Sequence, residues 1–138
     1  TRPGYTPLPG YTPLSTEEEL ERVIPIIRKI RENFDVPISL DTYKADTLRE
    51  VVKEGADILI VKHGMFYLDI LQSLRQRTQL PLAAYQVGGE YAAIKFAALH
   101  GALDEQKTVV ESIIAFKRAG ADIVITYFAK DICQYLDK

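Results

Sequence analysis

With 138 residues, 47% of them hydrophobic and 26% charged, the chain has the size and composition of one soluble globular domain with enough apolar material for a core. Its 17 Lys and Arg against 19 Asp and Glu leave a formal charge of −2 spread along the chain, which argues against nucleic-acid and anionic-membrane partners. The longest apolar runs, 58–61 and 123–125, fall far short of the roughly 20 residues that cross a bilayer, and the single Cys133 excludes an internal disulfide, so a reducing, cytoplasmic setting is expected.

The opening Thr1-Arg2-Pro3-Gly4-Tyr5 lacks the charged-then-apolar pattern of a secretory signal. A tandem repeat follows, Pro-Gly-Tyr-Thr-Pro-Leu at 3–8 and again at 9–14. Pro/Gly-rich sequence of this kind reads as a flexible arm over 1–14, and the duplication resembles a recombination event more than a working motif. Ser15-Thr-Glu-Glu18 matches a capping box ahead of a helical stripe, Leu20, Val23, Ile24, Ile27 and Ile30, so a helix over about 16–33 is predicted, with Pro25 expected to bend it or cost a hydrogen bond. Residues 36–42 alternate as a strand. A helix over 44–54 closed by Gly55, a buried strand over 57–62, a helix over about 66–77 and a strand over 81–87 come next. Gly88-Gly89 breaks that strand before a helical pair, 90–99 and 105–118, with Asp104 as N-cap and Gly120 as stop; a strand at 122–127 and a helix at 129–137 complete the chain.

Four strands alternating with helices predict a single α/β domain over 1–138: a parallel four-stranded sheet, half of a (β/α)8 barrel. The alternative is an open α/β sheet with helices on both faces, where the first helix covers an edge or the bare face. In both, polar side chains that do chemistry collect at the C-terminal strand ends, here Asp41 and Thr42, Lys62 and His63, Gln86, and Thr126 and Tyr127. His63 and His100 have no companions at ligand spacing and are assigned surface or loop positions; no metal and no cofactor are expected. Cys133, beside Ile132 and near Leu136, reads as a small buried apolar residue.

Thr1-Arg-Pro-Gly4, then Pro37-Ile-Ser-Leu-Asp-Thr-Tyr-Lys-Ala45 and Gly55-Ala-Asp57, resemble dihydropteroate synthase over about residues 1–57. That resemblance implies a barrel in which Thr1 and Arg2 meet the diphosphate of a pterin substrate and Asp41 meets the pterin ring. From Gly55 onward the chain resembles the C-terminal part of porphobilinogen synthase (delta-aminolevulinic acid dehydratase), another eight-stranded barrel. Gly55-Ala-Asp-Ile-Leu-Ile-Val-Lys62, Tyr67-Leu-Asp-Ile70, Ala84-Tyr-Gln-Val-Gly-Gly-Glu-Tyr91, and Lys117-Arg-Ala-Gly-Ala-Asp122 through Tyr127-Phe128 carry that likeness in order. It implies that Lys62 forms a Schiff base with a substrate keto group and that Tyr127 helps hold a substrate carboxylate. A second strand-end lysine and a cysteine-bound metal are also implied, from upstream segments this sequence does not include. The family's Lys-Pro is Lys62-His63 here, and its Val-Ser-Gly-Glu is Val87-Gly88-Gly89-Glu90, which removes a hydroxyl at Gly88.

Schiff-base chemistry needs a neutral amine, obtained by burial or a neighbouring cation. Asp41 and Lys62 should end neighbouring strands and pair, which would hold Lys62 protonated. Two resemblances meeting near residues 55–57, with a duplicated arm, lead to the expectation of a recombined or engineered chimera selected for folding, without native catalytic activity. The alternative is residual imine formation at Lys62 with keto acids, or weak pterin or phosphate binding around Asp41, Arg2 and Gly88. Because four strands leave two unpaired edges, a homodimer closing an eight-stranded barrel is the expected assembly.

Overall fold

Ser15 opens the first helix as its sequence predicts. Its hydroxyl accepts the Glu18 N–H at 3.1 Å while the Glu18 carboxylate accepts the Ser15 N–H at 2.7 Å, a closed capping box. The computed structural model describes residues 14–42 and 44–136. All of the expected arm except Leu14, including Thr1 and Arg2, lies outside them. Helix α1 (Thr16–Asn33) runs unbroken through Pro25, which lies on the exposed side of the helix, open to solvent. It is followed by β1 (Ser39–Asp41), α2 (Ala45–Lys53), β2 (Ile58–Lys62), a 3-10 turn (Gly64–Phe66), α3 (Leu68–Arg75), β3 (Leu82–Gln86), α4 (Gly88–Leu99), α5 (Glu105–Ala119), β4 (Ile123–Thr126) and α6 (Ala129–Leu136). The first strand is shorter than the predicted 36–42, because Pro37 has no N–H for a ladder and, among the described residues, β1 pairs on one side only. Helix α4 begins at Gly88, two residues earlier than predicted.

The sheet runs β1-β2-β3-β4, every pair parallel. Period-two alternation divides its side chains between two faces. Leu59, Val61, Leu82 and Ala84, with Leu40 and Val124, join a core with Ile27, Leu48, Val51, Leu71, Leu74 and Phe116 from the helices. The other face carries Ile58, Ile60, Tyr85, Ile123 and Ile125, none of them in a buried cluster, with Ile123 and Ile125 exposed. All helices that join this core lie on one side of the sheet, so the open sheet with helices on both faces is not the fold; the chain is half of a (β/α)8 barrel. Nor does α1 cover an edge or the bare face. Its apolar stripe goes into the helical layer, against α2.

The Gly-Ala-Asp triplet, present twice, builds the same joint each time. Gly55 and Gly120 take positive φ, 97° and 104°, after α2 and α5, where a side chain would be strained. Ala56 N–H returns to Val51 O at 3.1 Å and Ala121 N–H to Phe116 O at 3.0 Å. Each aspartate then accepts the first N–H of the preceding strand segment: Ile38 N–H to Asp57 at 2.7 Å, Leu82 N–H to Asp122 at 2.9 Å. An arginine closes each joint, Arg31 on Asp57 and Arg75 on Asp122. These amide bonds, aided by the arginines, hold both carboxyl groups below the usual aspartate range.

Candidate active site

Parallel register brings the polar ends of the strands together at one edge. Asp41 is level with Ile60, so it projects on the same face as Lys62 two residues further along β2. The Lys62 ammonium donates to an Asp41 carboxylate oxygen, forming the ion pair predicted from sequence. Both side chains remain about one-third exposed (32% and 34%), at the mouth of the bare face. Lys62 is level with Tyr85, and Tyr85 with Ile125, so Tyr127 continues the same face two strands from Lys62, about 10 Å laterally at ordinary strand spacing. The Lys62–His63 peptide is cis.

Gly88 starts α4 directly beside Tyr127, whose ring carbon lies 3.8 Å from where a Cβ on Gly88 would stand. Tyr127 is exposed and leans on Tyr91, ring centres 5.6 Å apart, while Tyr91 packs on buried Phe128 at 4.6 Å. This aromatic stack fixes the C-terminal end of β4 against the first turns of α4. The structure thus gathers Asp41 with Lys62, and Gly88 with Tyr127, along one edge of the sheet.

Two buried groups support these ends from behind. Gln86, fully buried, accepts the Thr126 hydroxyl at 2.6 Å and donates to Ser112 Oγ at 3.1 Å and Met65 Sδ at 3.3 Å. Glu90, also buried, accepts the N–H groups of Val87 at 2.9 Å and Met65 at 2.8 Å. Burial pushes the Glu90 carboxyl above its ordinary value, against the pull of the amides of Val87, Met65 and Phe66. Sequence reading named Gln86 as a strand-end polar residue but gave Glu90 no role. The available signal was its place three residues after Val87, the N3 position of a capping box.

Two assignments are corrected. His63 does lie in a loop, the bend after β2, but not at the surface: it is buried, its ring edge-on to Tyr67 at 6.3 Å, because that turn folds inward against α5. Cys133 is not buried; it faces solvent on α6. Among the described residues no three His, Cys, Asp or Glu side chains meet as a metal site. No described helix is long and apolar enough to cross a membrane.

Residues 31–135 match the family model described as delta-aminolevulinic acid dehydratase. The delta-aminolevulinic acid dehydratase of Staphylococcus epidermidis is 53% identical over 98 residues, covering 69% of this chain and 30% of that protein. The chain therefore spans about a third of the length of the curated relatives it matches. Among solved structures, delta-aminolevulinic acid dehydratase (porphobilinogen synthase) from Toxoplasma gondii, in complex with its product porphobilinogen, superposes with a TM-score of 0.62 at 46% identity, over 65% of this chain and 26% of that one. A dihydropteroate synthase from Xanthomonas albilineans superposes with a TM-score of 0.55 at 25% identity, over 91% of this chain and 48% of that one. Both resemblances read from sequence thus have counterparts. The expectation of a chimera selected for folding, without native activity, is corrected by these matches: the family model covers residues 31–135, and curated relatives 50–53% identical to the chain are named delta-aminolevulinic acid dehydratase.

Proposed function

Because the chain belongs to the delta-aminolevulinic acid dehydratase family, we propose that it carries the imine-forming part of a native dehydratase of that kind, with Lys62 as the amine that condenses with the keto group of a keto acid. The observation that carries this reading is the placement of Lys62 at the C-terminal end of β2, at the mouth of the open face. The Asp41 pair holds the resting amine as an ammonium, so a proton must leave it before attack, and Asp41 is the base in contact to receive that proton. Nζ then adds to the carbonyl carbon, the carbonyl oxygen leaves as water, and a C=N bond replaces C=O. Tyr127 and the first-turn amides of α4 at Gly88 face the acid's carboxylate, a helix N-terminus being a natural seat for an anion.

The same proposal extends to the assembly and to the joint near residues 55–57. A second copy of the chain closes the barrel, β4 of each against β1 of the other, giving eight parallel strands with every helix outside. The Gly55-Ala56-Asp57 joint is where the dihydropteroate synthase-like N-terminal part passes into the dehydratase-like remainder, and its duplicate at residues 120–122 has the same bonds.

Borohydride reduction in the presence of 4-oxopentanoic acid, followed by peptide mass mapping, tests the chemistry. A reduced adduct is expected on Lys62, and its complete loss in Lys62→Arg. A chain that reacts at other lysines while sparing Lys62 would rule the reading out.

A further inference from the structure

Glu90 is the one buried carboxylate among the described residues, and it spans two loops. One oxygen accepts the Val87 N–H within its own helix cap; the other accepts the N–H of Met65, 25 residues away and three residues beyond Lys62. The turn it grips has little room to move elsewhere. Phe66 N–H closes on His63 O at 3.1 Å, and a Cβ on Gly64 would stand 2.9 Å from the Phe116 ring and 3.1 Å from Tyr85 O. Gln86 holds the Met65 sulfur from the sheet side. A helix cap alone would need only the Val87 contact, so the reach to Met65 calls for another explanation.

We propose that Glu90 is a positioning residue: by accepting N–H groups from both Met65 and Val87 it locks the turn after β2 to the start of α4, and so sets the Lys62 amine against the Gly88–Tyr127 end of the site. This deepens the proposed function and rests on Lys62 being the imine-forming amine. A keto acid bound by its carboxylate near Gly88 presents its carbonyl at a fixed reach. A displacement of about 1 Å between the two loops then lowers the rate of attack without altering carboxylate binding.

The test uses the whole chain with 4-oxopentanoic acid and borohydride, reading both the maximal rate of Lys62 trapping and the half-saturating acid concentration. Glu90→Gln places an NH2 group where an acceptor is needed. Glu90→Asp keeps the charge and reach to Val87 but is one methylene too short for Met65. In both, the maximal rate is expected to fall roughly tenfold or more, with half-saturation within about twofold of the parent. Amide exchange should quicken at Met65 and Phe66 while the body of α4 stays protected. Glu90→Asp carries the test if Glu90→Gln does not fold. A parental trapping rate in folded Glu90→Asp overturns the inference, since the charge and cap alone would then suffice. If the parent forms no Lys62 adduct, the imine reading falls separately, and unchanged Met65 exchange in Glu90→Asp still overturns the clamp.

Discussion

Gln86 shows how much depends on single polar side chains behind the strand ends. Its amide is fully buried and bonded to Thr126, Ser112 and Met65, joining β3, β4, α5 and the turn after Lys62. Truncation would take one hydrogen-bond partner from the buried Ser112 hydroxyl and one from the half-buried Thr126 hydroxyl, and open a cavity. Gln86→Ala is therefore expected to destabilise the fold by about 2–4 kcal/mol, read as a lowered midpoint in urea with an unchanged slope. A loss below about 0.5 kcal/mol would mean that water or rearranged neighbours replace the network. At this scale the sequence was legible where backbone register decides the outcome. Parallel pairing of β1 with β2 puts Asp41 beside Lys62 whatever the helices do. It was opaque where packing decides: His63 is buried and Cys133 exposed because of how one turn and one helix settle on their neighbours, which no local pattern records.

Elements were more legible than residues, since each helix and strand carries its own period and punctuation. The repeated joint is the clearest case, and it makes two predictions. Gly120 sits at φ 104°, and a Cβ there would lie 2.7 Å from Arg75, the residue that closes the joint on Asp122. Gly120→Ala should cost about 1–2 kcal/mol in chemical denaturation, most of it backbone strain. The second concerns acid. Asp57 and Asp122 have folded-state pKa values held below the ordinary value, chiefly by the amides of Ile38 and Leu82. A depressed carboxyl contributes stability that is fully present above the unfolded value of about 3.9 and disappears as pH falls through the folded values. Melting temperature should drop over that window, and Asp57→Asn with Asp122→Asn should flatten the acid limb while lowering the plateau. An acid limb unchanged in the double variant would assign the sensitivity to other carboxylates. Strand β1 was less legible, because alternation continues through Val36 and Pro37 although neither has a ladder partner.

For the whole molecule, the bare face decides the behaviour. Ile58, Ile60, Tyr85, Ile123 and Ile125 form the side of the sheet opposite its helix-packed core, and among the described residues β1 and β4 each have one unpaired edge. Sequence foresaw the strand count and hence the unclosed barrel, but not which face the helices would leave open, since buried parallel strands read as apolar on both sides. A second copy would satisfy both needs at once: its edges would pair in the parallel sense, and its isoleucines would meet these across an eight-stranded interior of a width that side chains can fill. Light scattering should give a mass near twice that of the chain at high concentration, falling toward the monomer on dilution. Ile125→Lys puts a charge into that interior without touching the helix-packed core. It should weaken the dimer by at least about a hundredfold, the equivalent of about 2.7 kcal/mol, while leaving the far-ultraviolet circular dichroism intact. If the parent chain stays monomeric at high concentration, barrel closure by self-pairing is wrong. If Ile125→Lys stays dimeric, the two copies meet elsewhere, and the strand ends of one copy cannot complete the site of the other.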